Sequence, residues 1–196
     1  FKRLLGMRHK KIPEQMWTEE EVFQVVENGC RTVRDRAMIA LAFDCGGRAS
    51  EVFGNTKIKH VEFGVRSGSI VLEGKTGMRK TPIYPSIPYL MAWLDIHPHR
   101  NDQEAPLFVM ESKRVEGHPM TYASVRAVVR KSVQKSEICK PTNLHIFRKS
   151  RATALAPHMT ESQLCEFFGW RIGSKEPARY IHLSGKQVVS TFERLY

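Results

Sequence analysis

Apolar positions along this chain first repeat every three to four residues, then every two, then return to the longer period. Thr18 followed by Glu21 forms a capping box, and EEVFQVVEN runs helically from it to a stop at Gly29. From Thr32 to Asp44 the residues Val33, Ala37, Ile39, Ala40, Leu41 and Phe43 predict a buried helix that ends at Gly46-Gly47. Arg48-Ala-Ser-Glu51 follows at once. Between Lys57 and Tyr84 the period shortens. IKHVEF, SIVLE and RKTPIY read as strands separated by glycine-containing turns, best arranged as a small antiparallel sheet. Pro82 has no N–H to give to a ladder, which assigns the third strand to an edge. Lys75 falls in E-G-K-T-G, at the turn between the second and third strands.

Helical spacing resumes at Ile87 and stops at Pro98, after which a polar loop leads to the short apolar PLFV. A basic helix is expected over Thr121–Lys135, and a further one from the Asn143 cap to Pro157. A short helix follows over 160–168, then a loop over 169–177, with Tyr180 on or beside a last helix. In the tail, Val188, Val189, Phe192 and Leu195 form a helical stripe that must be buried on its own subunit or on a neighbour. The pattern is that of an α+β fold, mainly α-helical, in which helices surround a small three-stranded antiparallel sheet.

Length and charge narrow the picture. The 196 residues suit one domain with a short arm. Residues 1–16 are basic, begin without an initiator methionine and end in K-K-I-P, so they are expected to be a linker from a preceding domain; 17–196 form the domain itself. Lys and Arg number 31 against 20 acids, a formal net charge of +11 that favours a polyanionic partner. Nucleic acid is preferred over a membrane surface, because no basic amphipathic helix dominates and no apolar run is long enough to span a bilayer. Cys30, Cys45, Cys139 and Cys165 form no C-x-x-C pair and read as reduced core thiols of an intracellular protein. His97 and His99 flank Pro98 without further ligands, which makes this loop a poor metal site.

Candidate chemistry gathers between Asn143 and Gly185. His145 and Arg148, three apart on a helix, project from one face, and Tyr180 follows Gly169-Trp170 and a proline-containing loop. A guanidinium to hold phosphate, an imidazole to handle a proton and a phenol oxygen to attack are what cutting a phosphodiester without metal requires. H-x-x-R alone is common in basic helices. The ordered set is far more specific.

That set is G-G-R-A-S-E, G-K-T-G on a hairpin, H-x-x-R, G-W and Y-I-H-L-S-G. With these motifs the chain, from Thr18 onward, resembles the catalytic domain of the tyrosine recombinases, the phage-integrase, Cre and Xer family. The Tyr180–Gly185 run and the WRIGSKEPARY spacing look most like integrases of archaea and their mobile elements. The resemblance implies a site-specific recombinase that cleaves and rejoins double-stranded DNA through a 3′-phosphotyrosyl intermediate. It would act as a homo-oligomer, a tetramer on DNA, without metal or cofactor. Arg48 and Arg148 match the two arginines that grip the scissile phosphate. Lys75 matches the hairpin lysine, a candidate general acid, with Arg79 and Lys80 as nearby rivals. His145 matches the proton acceptor or hydrogen-bond partner, and Tyr180 the nucleophile. Trp170 stands where many members carry His, and its indole N–H donates but cannot shuttle a proton. Glu51 resembles an acidic residue that orients a guanidinium. Trp170 and Tyr180 are one residue further apart than is commonest in the family, with the extra residue expected in the Ile172–Pro177 loop. The same resemblance leaves two alternatives: a type IB topoisomerase-like strand transferase, or a catalytically silent DNA-binding protein of this fold.

Overall fold

The computed structural model describes residues 15–74, 77–111 and 117–181. Lys75, His182, the apolar tail stripe and most of the basic arm lie outside the described residues. Thr18 caps helix α1 (Glu19–Gln24) through the expected box, its hydroxyl accepting from the Glu21 N–H while Glu21 accepts from the Thr18 N–H. The helix then widens into a π turn over Val25–Gly29. Thr32 caps α2 (Val33–Asp44), in which Ala37 to Leu41 and Phe43 are wholly buried.

Against α2 pack α3 (Ile87–Asp95) and α5 (Leu144–Leu155), while α4 (Tyr122–Lys135) packs on the π turn at Val25–Gly29. Leu90 and Trp93, Val125 and Val129, and Ile146 and Phe147 join α2 in one hydrophobic core. A buried carboxylate is costly unless its oxygens are occupied. At the end of α2, Asp44 accepts from the N–H groups of Tyr84 and Ser86, the Ser86 hydroxyl and the Arg151 guanidinium. These bonds fasten the end of α2 to the start of α3 and to α5.

The sheet contains β1 (Val61–Phe63), β2 (Gly68–Gly74) and β3 (Gly77–Ile83), antiparallel in that order. Pro82 lies on an edge strand, opposite Ser69. IKHVEF is a strand only in its second half, because Ile58–His60 forms a 3-10 turn. The apolar PLFV contributes isolated bridges, Pro106 to Lys57 and Val109 to Pro119. Cys30, Cys45 and Cys165 are buried as expected, whereas Cys139 is exposed in the loop between α4 and α5.

A second, smaller core joins Ala152 and Ala156 of α5 to Leu164, Phe167 and Phe168 of α6 (Glu161–Phe168) and Tyr180 of α7 (Glu176–Ile181). Among the described residues no helix is long and apolar enough to cross a membrane.

Candidate active site

The site begins where α2 ends. Gly46 adopts φ +54°, and a Cβ on it would stand 2.5 Å from the Phe168 ring, so glycine is what lets this turn meet α6. The Gly46 carbonyl accepts from Arg148 Nη1 at 2.8 Å, and Arg148 Nη2 donates to the Phe168 carbonyl at 2.6 Å. The last carbonyls of a helix lack intrahelical donors and carry partial negative charge, which suits a guanidinium. Arg148 is only 3% exposed, and its guanidinium lies 5.2 Å from the Phe168 ring centroid and 5.6 Å from that of Trp170. Burial and the neighbouring Arg48 charge pull its pKa down to about 10, with Glu51 opposing. It remains a cation at neutral pH.

Arg48 is more open. Its backbone N–H donates to the Glu51 carboxylate at 2.9 Å and its Nη1 to Glu51 Oε1 at 2.6 Å, while its side chain is 41% exposed. Glu51 is fully enclosed and also accepts from Arg79 Nη2 at 2.7 Å. Burial pushes the Glu51 carboxyl up, but the hydrogen bonds from Arg79 and Arg48 outweigh it and hold the pKa at about 2. One carboxylate thus bridges two guanidiniums.

Arg79 reaches this place from β3, and its Nε also donates to the Phe167 carbonyl at 3.1 Å. Sequence reasoning noticed Arg79 only as a rival to Lys75. The overlooked signal is parity: Arg79, Thr81 and Ile83 share the inward face of β3, while Met78, Lys80 and Pro82 face out.

After α6 the chain turns at Gly169, a left-handed C-cap at φ +60°. The Trp170 ring then stacks on Phe168, centroids 4.7 Å apart, and on Tyr180, centroids 5.4 Å apart. The turn at 171–175 and the short α7 absorb the ten-residue spacing, so Tyr180 still meets Trp170. Tyr180 is 9% exposed; burial and Glu176 push its phenol pKa up, against Arg148 and Arg179. His145 is exposed on α5 and lines, with Arg48, Phe53, Met120 and Tyr122, a cleft of about 540 Å³. Partial enclosure of the ring and the Lys149, Arg148 and Arg48 charges lower its pKa, with Glu176 opposing, so the imidazole is neutral at physiological pH.

Arg48, Glu51, Arg148, Trp170 and Tyr180 therefore form one contiguous network that includes Arg79, with His145 at its open edge. Lys75 lies outside the described residues. A family model described as the phage integrase family matches residues 16–187. The chain belongs to the phage integrase family. Its mainly helical architecture with a three-stranded sheet is the catalytic-domain fold of these tyrosine recombinases. Among curated proteins none matches the sequence. The solved XerA recombinase superposes with TM-score 0.71 at 20% identity, covering 94% of this chain and 65% of that one. XerH bound to its difH substrate gives TM-score 0.68 at 21% identity, covering 93% of this chain and 54% of that one. A lambda integrase dimer bound to a COC′ core site gives 0.65 at 15%, covering 88% and 49%. The phage-integrase chain described here therefore spans roughly half to two thirds of these relatives' length.

Proposed function

We propose that this chain is the DNA-cleaving and rejoining domain of a site-specific recombinase. What supports the reading is that Arg148, held by backbone carbonyls and within electrostatic reach of both Arg48 and Tyr180, lies against the Trp170 ring on which Tyr180 stacks, while Glu51 holds Arg48 beside it. Tyr180 Oη attacks the scissile phosphorus; a 3′-phosphotyrosyl bond forms and the bond to the 5′ oxygen breaks. The phenol proton passes to the neutral His145, and the 5′ oxygen takes a proton from a general acid, for which Lys75 is the candidate. Arg48, the more exposed arginine, meets the non-bridging oxygens first. Arg148 stabilises the pentavalent transition state with the N–H groups its backbone contacts leave unused. Trp170 contributes an indole N–H and holds the tyrosine ring, and Glu51 orients Arg48. No metal or cofactor enters this scheme.

The substrate is double-stranded DNA inside the cell, in keeping with the +11 charge and with relatives solved on DNA. Assembly as a tetramer on DNA follows the lambda integrase tetramer on a Holliday junction. The Y-I-H-L-S-G run and the WRIGSKEPARY spacing support, within this proposal, an affinity with integrases of archaea and their mobile elements. A nicked suicide DNA decides the chemistry: wild-type protein is expected to leave a covalent adduct on a denaturing gel, and Tyr180→Phe none. No adduct would reduce the chain to a DNA-binding protein of this fold. Relaxed supercoils without recombinant joints would make it a topoisomerase.

A further inference from the structure

Arg79 sits where an arginine is expensive. It occupies the inward face of β3 with its side chain 10% exposed, beside the buried Thr81 and Ile83. Its Nη1 is buried with no hydrogen-bond partner among the described residues. A Cβ on Gly169 would stand 2.9 Å from that Nη1, so the left-handed cap of α6 also makes room for this side chain. An apolar residue would fill the same volume without a desolvated charge or an orphaned donor. Two accommodations for one guanidinium call for a reason beyond packing.

The reason lies in what the fork joins. Nη2 holds Glu51, whose carboxylate also grips the backbone and side chain of Arg48. Nε holds the Phe167 carbonyl, and the next carbonyl along, that of Phe168, is taken by Arg148. Arg79 and Arg148 thus grasp adjacent carbonyls of the last turn of α6, separated from Trp170 only by the Gly169 cap. We propose that Arg79 is a positioning residue: it presses the Glu51 carboxylate against Arg48 and ties it to the end of α6, so that both phosphate-facing arginines keep one orientation. The inference rests on the strand-transfer reading and adds to it a residue that touches no reacting atom. A lysine would keep the charge but reach only one of the two acceptors.

The test uses Arg79→Met and Arg79→Lys, single-turnover cleavage of suicide DNA at saturating protein, and affinity for uncleaved DNA. Loss of positioning alone should slow cleavage about 100-fold in Arg79→Met and about tenfold in Arg79→Lys, with Kd within about twofold. In a double-mutant cycle, Arg79→Met with Glu51→Gln should be no slower than the slower single variant, because both act through one carboxylate. The ¹⁵N relaxation of the Arg48 side chain should show it mobile in Arg79→Met and restrained in Arg79→Lys. Equal losses in rate and affinity, additive rate losses, or an Arg48 as rigid in Arg79→Met as in the wild type would overturn the proposal. Should Arg79→Met not fold, Arg79→Lys alone decides: cleavage about tenfold slower at unchanged affinity supports the proposal, and cleavage at the wild-type rate refutes it. Should the wild type form no adduct, the strand-transfer reading fails, while the Arg48 relaxation still decides whether Arg79 holds this carboxylate in place.

Discussion

The Trp170 indole lies parallel to the Tyr180 ring, the planes 6° apart and the centroids 5.4 Å apart. Tyr180 is thereby both candidate nucleophile and packing residue, since its ring also belongs to the core of α5, α6 and α7. Removing the hydroxyl and removing the ring should have separate consequences. Tyr180→Phe keeps the stack, and its melting temperature should stay near wild type while covalent attachment is lost. Tyr180→Ala should lose attachment and also about 3 kcal/mol of stability, the usual cost of deleting a buried aromatic ring. Thermal unfolding beside the adduct assay checks both.

Arg148→Lys should slow cleavage much more than it weakens DNA binding. A lysine cannot serve the Gly46 and Phe168 carbonyls together, and the buried acceptor left without a donor costs about 1–3 kcal/mol. A transition-state contact shows in rate, whereas a docking contact shows in affinity and its salt slope. Proportional losses in both would demote Arg148 to a docking residue.

His145 should set the acid limb of the cleavage rate. Its pKa lies below the ordinary 6.5, so the neutral, proton-accepting form persists down to a pH below that value and is lost as pH falls further. Single-turnover rates across pH 4.5–8 are the check. His145→Gln should flatten that limb; a limb unchanged in the variant assigns it to another group.

Glu51 makes folding acid-sensitive. Its carboxyl pKa is depressed to about 2 in the folded chain, against an ordinary 4.5, so its contribution is complete above about 4.5. That contribution is lost as pH falls towards 2. The difference corresponds to roughly 3 kcal/mol. Glu51→Gln should therefore lower stability at pH 7 and make the profile between pH 5 and 2 shallower, as read by denaturant melts.

Gly46→Ala places a methyl against Phe168 at a positive φ, and both faults act together. A loss of about 2–3 kcal/mol is expected, with cleavage falling as the Gly46 carbonyl moves away from Arg148. Normal stability together with normal cleavage would show that the turn relaxes freely.

What the sequence determined by itself is what neighbours along the chain decide. Thr18 and Glu21, three apart, close a capping box whatever surrounds them, and the apolar run of α2 is buried because it has no polar face to offer water. Alternation placed the three strands, though it could not separate the 3-10 turn at Ile58–His60 from the strand beyond it, since each is only three residues long and too short to declare a period. The order of the motifs named the family. The tertiary structure decided the partners across long separations. Arg148 donates to a carbonyl 102 residues away, and Arg79 meets Glu51 across 28. Such pairings depend on how α2, β3 and the end of α6 converge, and no local period encodes that. For the same reason Arg79 reads in sequence as one more hairpin cation. Only the packing of β3 against α6 puts its charge inside, where a single carboxylate and a helix end must satisfy it.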